Sequence, residues 1–310
     1  DRTVTASGGE SGELTLQGKA VVLAAGSTTR SIPGFDVDGS VVMTSDEVLS
    51  MPKLPGSAVV IGGGAIGCEF ASMMGDLGTK VTILEALPQI LNGCDADAAK
   101  VVERSFKKRG ITTRTGVMVN GHTPKPDGSG TTVHFGDGES VEVDAVVVSV
   151  GRRPFADLLG LEGTAVGVDE RGFVQVDERC RTAEAGVWAV GDLVNTPQLA
   201  HVAFAEGMLA IRDILGEEPA PLDHHGTPWC IYCNPEVAFA GHTEASAKEA
   251  GFDVVASKHH FVGNGRAKIV GDTDGIVKVI AEKRPDGTGG RILGVHMVGP
   301  WVTEQLGQGY

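Results

Sequence analysis

No apolar run in this chain of 310 residues approaches the ~20 residues that a membrane-spanning helix requires. No signal peptide opens it either, so no membrane association is expected. Positive charge is in deficit: 26 Lys and Arg stand against 40 Asp and Glu, for a net charge of −14. A chain that acidic is a poor partner for nucleic acid or anionic lipid. Cysteine is scarce, odd in number and mostly scattered, at Cys68, Cys94, Cys180, Cys230 and Cys233. That suits a reducing compartment, with a cytoplasmic location expected, better than a disulfide scaffold. Low-complexity repeats are missing too, so the 45 glycines, roughly twice the usual share, point to many tight turns between strands. The length allows two or three domains.

What the chain does have is a strand, a glycine turn, a helix and a second strand in succession. Ala58-Val59-Val60-Ile61 runs into Gly62-Gly63-Gly64-Ala65-Ile66-Gly67, a helical pattern follows, and Val81-Thr82-Ile83-Leu84 ends on Glu85. This is the dinucleotide fingerprint G-x-G-x-x-G in its required context. Gly62 permits the tight turn, Gly64 lets the backbone approach a pyrophosphate, and Gly67 lets helix pack on strand. The helix N-terminus then faces the phosphates. An acid about 20 residues on meets the adenosine ribose hydroxyls. At Glu85 a carboxylate accepts both hydroxyls and repels a 2′-phosphate, at a cost of several kcal/mol. The sequence therefore predicts NAD rather than NADP.

Four blocks follow one another. Residues 1–30 carry two short strands and the apolar run 20–25. A Pro/Gly-punctuated connection, 32–56, leads from this first block to the second and includes a short helical piece at 45–50. Residues 57–150 form a doubly wound unit with a helix at Ala96–Lys108 and strands at Thr131–Phe135 and 145–150. Residues 151–216 hold a strand at 186–190 and a helix at 198–215. From about 221, strands (254–261, 275–281, 292–299) alternate with a helix at 244–250, which suggests an antiparallel α+β domain. The chain opens at Asp1 without methionine in what reads as a β-meander and closes after Gly307-Gln308-Gly309. An interior segment of a longer protein is expected.

Other motifs admit two readings. Asp192 ends the strand 187–190, where it can accept hydrogen bonds from a sugar or ribityl hydroxyl, or simply cap the next helix. Gln198-Leu199-Ala200-His201 opens a helix whose amides can hold a polar cofactor atom, yet His201 can equally be a surface histidine. Ala24-Ala25-Gly26-Ser27 and Val150-Gly151-Arg152-Arg153-Pro154 end apolar strands in glycine, as many turns do. Trp229-Cys230-Ile231-Tyr232-Cys233 contains C-x-x-C, but a redox pair needs its first cysteine at a helix N-terminus. Here Ile231-Tyr232 reads as strand, which sets the two cysteines ~10 Å apart at ~3.3 Å per residue, too far for a disulfide. No second pair has zinc-ligand spacing, so no metal site is expected. His224-His225 and His259-His260 read as solvated or structural histidines, and Lys100, Arg104, Lys107 and Lys108 as a solvated helix face.

Taken in order, these blocks resemble the flavin-dependent pyridine nucleotide–disulfide oxidoreductases over essentially the whole chain, and within that family the dihydrolipoyl dehydrogenases. The likeness is carried by the motifs above together with Glu206-Gly207, Asn234-Pro235-Glu236-Val237-Ala238 and the tail 291–300. It implies an α/β, FAD/NAD-linked reductase fold: doubly wound nucleotide-binding domains and a C-terminal α+β interface domain, truncated. The implied divisions are a remnant of the FAD-binding domain at 1–50, an NAD-binding domain at 51–151, a second FAD-domain segment at 152–220 and an incomplete dimerisation domain at 221–310. Ala25, Gly26, Ser27, Asp192, Gln198, Leu199, Ala200 and His201 would touch FAD. Gly62, Gly63, Gly64, Ala65, Ile66, Gly67, Cys68, Glu69, Glu85, Val119 and Gly151 would line the NAD site, with Glu69 near the nicotinamide.

The family passes two electrons from dihydrolipoyl groups through a disulfide to FAD and then to NAD⁺. The resemblance also implies a homodimer and, as partner, the lipoyl domain of the acyltransferase subunit of a 2-oxo acid dehydrogenase complex. This sequence holds no second G-x-G-x-x-G, no C-x-x-x-x-C redox pair and no terminal His-x-x-x-x-Glu. The 310 residues alone are therefore expected to contain no catalytic residue, to bind FAD poorly and to lack disulfide reductase activity. Two other readings stay open: another NAD-dependent disulfide or flavin reductase of the family, and a non-catalytic nucleotide-binding or dimerising module.

Overall fold

A computed structural model describes residues 2–9, 12–157 and 159–308. Contacts divide the chain into two units, Asp1–Thr28 with Arg152–Thr227, and Thr29–Gly151 with Pro228–Tyr310.

The second unit is built on a five-stranded parallel sheet in the order Val42–Met43, Ala145–Val148, Ser57–Ile61, Lys80–Glu85, Thr112–Thr115. The central strands Ala145–Val148 and Ser57–Ile61 are near-continuously apolar because both faces are covered, whereas the edge strand Thr112–Thr115 is polar and only half-buried. Side chains alternate along each strand. Ala58, Val60, Val81 and Ile83 pack against Cys68, Ala71 and Met74 of the helix Ala65–Asp76 and Val101, Val102 and Phe106 of the helix Ala96–Lys108. Val59, Ile61, Leu84 and Val146 face the other way, onto Val133, Phe135 and Val143 of an antiparallel three-stranded sheet. Each large side chain so buried contributes roughly 1.5–3 kcal/mol.

The C-terminal residues of this unit form a five-stranded antiparallel sheet in the order Trp229–Ile231, Val237–Gly241, Gly289–Val298, Ile276–Lys283, Val254–His260. Ile231, Cys233, Val237, Phe239, Ile276 and Val298 belong to the same core as the dinucleotide-type helices. A buried ion cluster joins the two sheets as well. Lys278, 3% exposed, reaches Asp95 at 2.9 Å, Asp97 at 2.7 Å and Glu244 at 2.8 Å. Asp95 is also the N-cap of Ala96–Lys108, accepting from the Asp97 amide. A shared core and a buried ion cluster explain why residues 29–151 and 228–308 behave as one compact unit.

The first unit contains the antiparallel hairpin Thr3–Gly9 and Gly12–Gln17, and the parallel pair Val21–Leu23 and Val187–Ala189. Its long helix, Ala200–Ile214, buries Val202, Glu206, Leu209, Ala210 and Asp213, the spacing of one helical face. Phe204, Met208, Ile211 and Leu215 are exposed.

Most expected elements appear within a residue or two, with three differences. The helix expected over 198–215 begins only at Ala200, because Leu199 is extended (φ −134°, ψ 136°) and serves as N-cap. Tyr232 leaves the strand that ends at Ile231. Helices at Gly265–Val270 and Val302–Gln305 have no counterpart in the sequence reading; at four to six residues they are too short to show a 3.6-residue period, and the first is set up by the Asn264 side chain accepting from the Ala267 amide. Gly309 and Tyr310 of the closing stretch lie outside the described residues.

Candidate functional site

In the parallel sheet the strand Ser57–Ile61 has Lys80–Glu85 on one side and Ala145–Val148 on the other. The winding therefore reverses at the carboxyl end of Ser57–Ile61, the place where open α/β sheets bind ligands. Gly62 turns there with φ +101°, and its amide donates to Leu84 O at 2.9 Å. A Cβ on Gly62 would sit 2.4 Å from Ser149 O, and one on Gly67 would sit 2.0 Å from Gly62 O. A Cβ on Gly64, by contrast, would meet nothing within 4 Å. Two glycines thus permit close packing, and the third leaves an open approach to the backbone.

Gly64 is the N-cap of the helix Ala65–Asp76 and supplies no side-chain cap. The Cys68 amide bonds Gly64 O at 2.9 Å, so the amides of Ala65, Ile66 and Gly67 precede the intrahelical ladder. No acid occupies the first turn, and the positive end of the helix is left for an anion. Glu85, 7% exposed, accepts from Gly63 N at 2.6 Å and Leu87 N at 2.7 Å. A carboxylate accepts about four hydrogen bonds, so the residue braces the glycine turn and retains capacity for hydroxyl donors. The Ser149 hydroxyl, at the carboxyl end of the neighbouring strand, is buried without a partner among the described residues, and Gly151 follows with φ +103°. Open backbone, uncapped amides and an orphaned hydroxyl fit a dinucleotide.

Three expected residues contribute differently. Cys68 is fully buried and its thiol faces Gly63 O at 3.3 Å, so it packs behind the turn rather than lining its open side. Glu69 accepts from the Tyr232 amide at 2.8 Å, tying the helix to the C-terminal sheet. Val119 starts the strand Val119–Pro124, half-buried against the core between the parallel sheet and the three-stranded sheet.

A second cluster lies in the first unit. Asp192 sits in a 3₁₀ turn, Gly191–Leu193, directly after the strand Val187–Ala189. Its Oδ2 accepts from the Ser27 hydroxyl at 2.6 Å, and Arg152 donates to that same hydroxyl at 2.6 Å and to Ser27 O at 2.8 Å. Asp192 is thus fixed by a chain neighbour 165 residues away and is not a helix cap. Gly26 has φ +72° with open space where a Cβ would stand, and Ala25 beside it is exposed. Leu199 gives the helix Ala200–Ile214 no side-chain cap, and the Ala200 and His201 amides stand at the head of its N-terminus. Just upstream, Thr196 Oγ1 and Gln198 Nε2 are buried without partners among the described residues. A second polar ligand with hydroxyl and carbonyl groups fits this cradle.

Sequence pattern alone does not single out Arg152, Ser149 or Thr196 as site residues. Arg152 stands in the Gly-Arg-Arg-Pro motif and was legible as a basic residue at a strand end; the other two become notable only through their buried, unpaired hydroxyls.

All five cysteines are free. Cys230 lies in an antiparallel strand opposite Ala238, not at a helix N-terminus, and burial, then Glu236 and Glu304, pushes its thiol up. Burial pushes Cys180 and Cys233 up to about 12 and also raises Cys68 and Cys94. Thiolates do the alkylation chemistry, so iodoacetamide at neutral pH should label the half-buried Cys230 ahead of the other four. Peptide mapping that finds Cys230 and Cys233 joined in a disulfide would contradict this arrangement. Among the described residues no group of three or more His, Cys, Asp or Glu is placed to hold a metal, and no helix is long and apolar enough to cross a membrane.

Comparison with known proteins agrees with this geometry. The family model for pyridine nucleotide-disulphide oxidoreductases matches residues 1–207, and that for their dimerisation domain matches residues 227–309. Dihydrolipoyl dehydrogenase of Bacillus subtilis is 41% identical over 303 residues, 97% of this chain and 63% of the relative. That of Haloferax volcanii is 38% identical over 307 residues, 98% of this chain and 64% of the relative. Among solved structures, LpdA from Mycobacterium tuberculosis aligns with a TM-score of 0.88 at 27% identity, covering 97% of this chain and 64% of the other. The flavoprotein disulfide reductase RclA from Escherichia coli aligns at 0.87 and 26%, covering 99% and 68%. The chain spans 63% of the length of the first curated relative. One family model spans both the strand–turn–helix–acid unit and the aspartate-centred cradle, and a second spans the C-terminal sheet: the chain belongs to the pyridine nucleotide-disulphide oxidoreductases, enzymes that use FAD and NAD(H).

Proposed function

We propose that the full-length gene product is a dihydrolipoyl dehydrogenase, oxidising dihydrolipoyl groups with NAD⁺ as acceptor and FAD as bound cofactor. The observation that carries this reading is the identity of 36–41% to proteins so named, spread over 96% or more of this chain. When bound, FAD and the nicotinamide supply the two-electron chemistry; the residues here bind and orient. The amides at Gly64 to Gly67 hold the pyrophosphate of NAD, Glu85 takes the ribose hydroxyls, and Ser149 and Gly151 border the same opening. Gly26, Ser27, Asp192, Gln198 and the amides of Ala200 and His201 hold FAD, with Asp192 on the ribityl chain through the oxygen that Ser27 leaves free.

Domain limits of 1–50, 51–151, 152–220 and 221–310 remain our functional division. The last block would form the homodimer interface, consistent with its match to a dimerisation domain. The lipoyl domain of an acyltransferase subunit is the proposed macromolecular partner, in the cytoplasm.

The test is NAD⁺ reduction by dihydrolipoamide, catalysed by the flavin-loaded gene product. Turnover that disappears with NADP⁺ supports the reading. A flavin-loaded protein that does not turn over dihydrolipoamide moves the function to another disulfide. Glu85→Ala should weaken NADH binding by about 1–3 kcal/mol and narrow the gap to NADPH. Equal affinity of the unaltered protein for NADH and NADPH would overturn the role of Glu85.

A further inference from the structure

Glu206 lies on the buried face of the helix Ala200–Ile214, 0% exposed. A carboxylate in such a position is costly unless its oxygens are bonded. Glu206 Oε2 accepts from Gly191 N at 2.7 Å. Oε1 has no hydrogen-bond partner among the described residues, and the His224 ring nitrogen Nε2 stands 4.0 Å from it. The neighbouring helix positions Val202, Leu209 and Ala210 are apolar, so packing alone would be served by leucine or methionine. Something other than packing accounts for an acid here.

The backbone bond supplies that reason. The Val190 amide still pairs with Leu23 O at 3.0 Å, continuing the ladder between Val187–Ala189 and Val21–Leu23. At Gly191 the chain leaves the strand with φ +73°, and a Cβ there would press on the Ala203 side chain at 3.2 Å. Its N–H has no strand partner and goes to Glu206 instead. The next residue is Asp192, held against Ser27. Turn and helix are therefore joined by one charge-assisted bond, beside the residue assigned to the ribityl chain.

We propose that Glu206 is a positioning residue for flavin: its buried carboxylate anchors the Gly191 amide, and this sets where the Asp192 carboxylate stands. The proposal rests on the flavin reading given above. Its role is exercised through Gly191 and, next in the chain, Asp192.

The experiment measures FAD affinity of the apo form of the full-length gene product by fluorescence titration, together with the absorption band of the bound flavin. Glu206→Ala should weaken FAD binding at least tenfold and move the band toward that of free flavin. Glu206→Gln retains a carbonyl acceptor for Gly191 and should stay within threefold of the unaltered protein. Glu206→Leu fills the buried space without an acceptor, so it should lose flavin like the alanine variant even if its apo form melts at the unaltered temperature. Unchanged FAD affinity in the leucine variant, or loss in Gln equal to that in Ala, overturns the proposal. Asp192→Ala separates the two layers. If it abolishes FAD binding while the Glu206 variants do not, only the positioning role falls; if it too is without effect, the flavin reading falls with it.

Discussion

Replacing Lys278 by methionine is expected to destabilise the second unit by about 3–5 kcal/mol at neutral pH, the usual cost of removing one partner from a buried ion pair. Three carboxylates converge on this ammonium, but they are not equally dependent on it. Asp97 keeps Lys258 at 2.6 Å, and Glu244 keeps Lys248 at 2.7 Å. Among the described residues, Asp95, 3% exposed, has no ion-pair partner besides Lys278. The loss therefore falls on a buried anion that also caps the helix Ala96–Lys108 and accepts from the Glu244 amide. A urea transition followed by far-UV circular dichroism measures it. A shift worth less than about 1 kcal/mol, the range of exposed pairs, would mean the cluster contributes nothing beyond surface pairing.

The pH dependence has a definite sign. Lys258 and then Lys278 hold Asp97 down at about 2, and Lys248 and then Lys278 do the same for Glu244. Burial works against the Asp95 anion, but bonds from Lys278 and from the Glu244 and Asp97 amides leave its pKa lowered. Burial also opposes the charged form of Lys278, and its three acidic partners outweigh that and raise its pKa. Carboxylates with depressed native pKa values contribute stability that is complete above their unfolded values near 4 and is lost as pH falls toward 2. The gap between the Lys278→Met variant and the unaltered protein should accordingly narrow from pH 5 to pH 2. A gap that stays constant over that range would separate the role of Lys278 from its charge.

The second large effect is a contrast between two glycines three residues apart. Gly67→Ala places a methyl 2.0 Å from Gly62 O, a backbone atom that cannot rotate away. The helix Ala65–Asp76 must shift off the strand turn, at a cost of about 1–3 kcal/mol or more, and the amides facing the phosphate site shift with it. Gly64→Ala meets nothing within 4 Å and has an ordinary negative φ of −73°. Its stability should change by no more than about 0.5 kcal/mol, while its methyl occupies the open approach. Both variants should bind NADH at least tenfold more weakly, about 1.4 kcal/mol, but only Gly67→Ala should unfold earlier. Isothermal titration with NADH and a thermal melt read the two quantities. Tight NADH binding by Gly64→Ala would place the dinucleotide elsewhere.

Much of this was legible from local pattern. A strand, three glycines, a helix and an acid at a set distance specify the element order and the tight turn at the carboxyl end of the strand, because each glycine answers a steric demand made within a few residues. The extended reading of Cys230 and Ile231 was legible for the same reason, since flanking residues already disfavour a helix N-terminus. The late start of the helix at Ala200 was not, because Leu199 has no propensity that marks it as a cap.

What the amino-acid order determined by itself, then, is the glycine turn around residues 62–67, the acid at Glu85 that ends the next strand and the antiparallel pattern of the C-terminal strands. Each depends on steric and periodic rules that act over one or two elements. Only the tertiary structure decided that Asp192 meets Ser27, that Lys278 is shared by Asp95, Asp97 and Glu244, and that Glu206 turns inward to the Gly191 amide. A buried carboxylate and an exposed one have the same local sequence signature. Which of them is kept dry and bonded depends on chain segments 15 to 183 residues away, and that choice is made by packing.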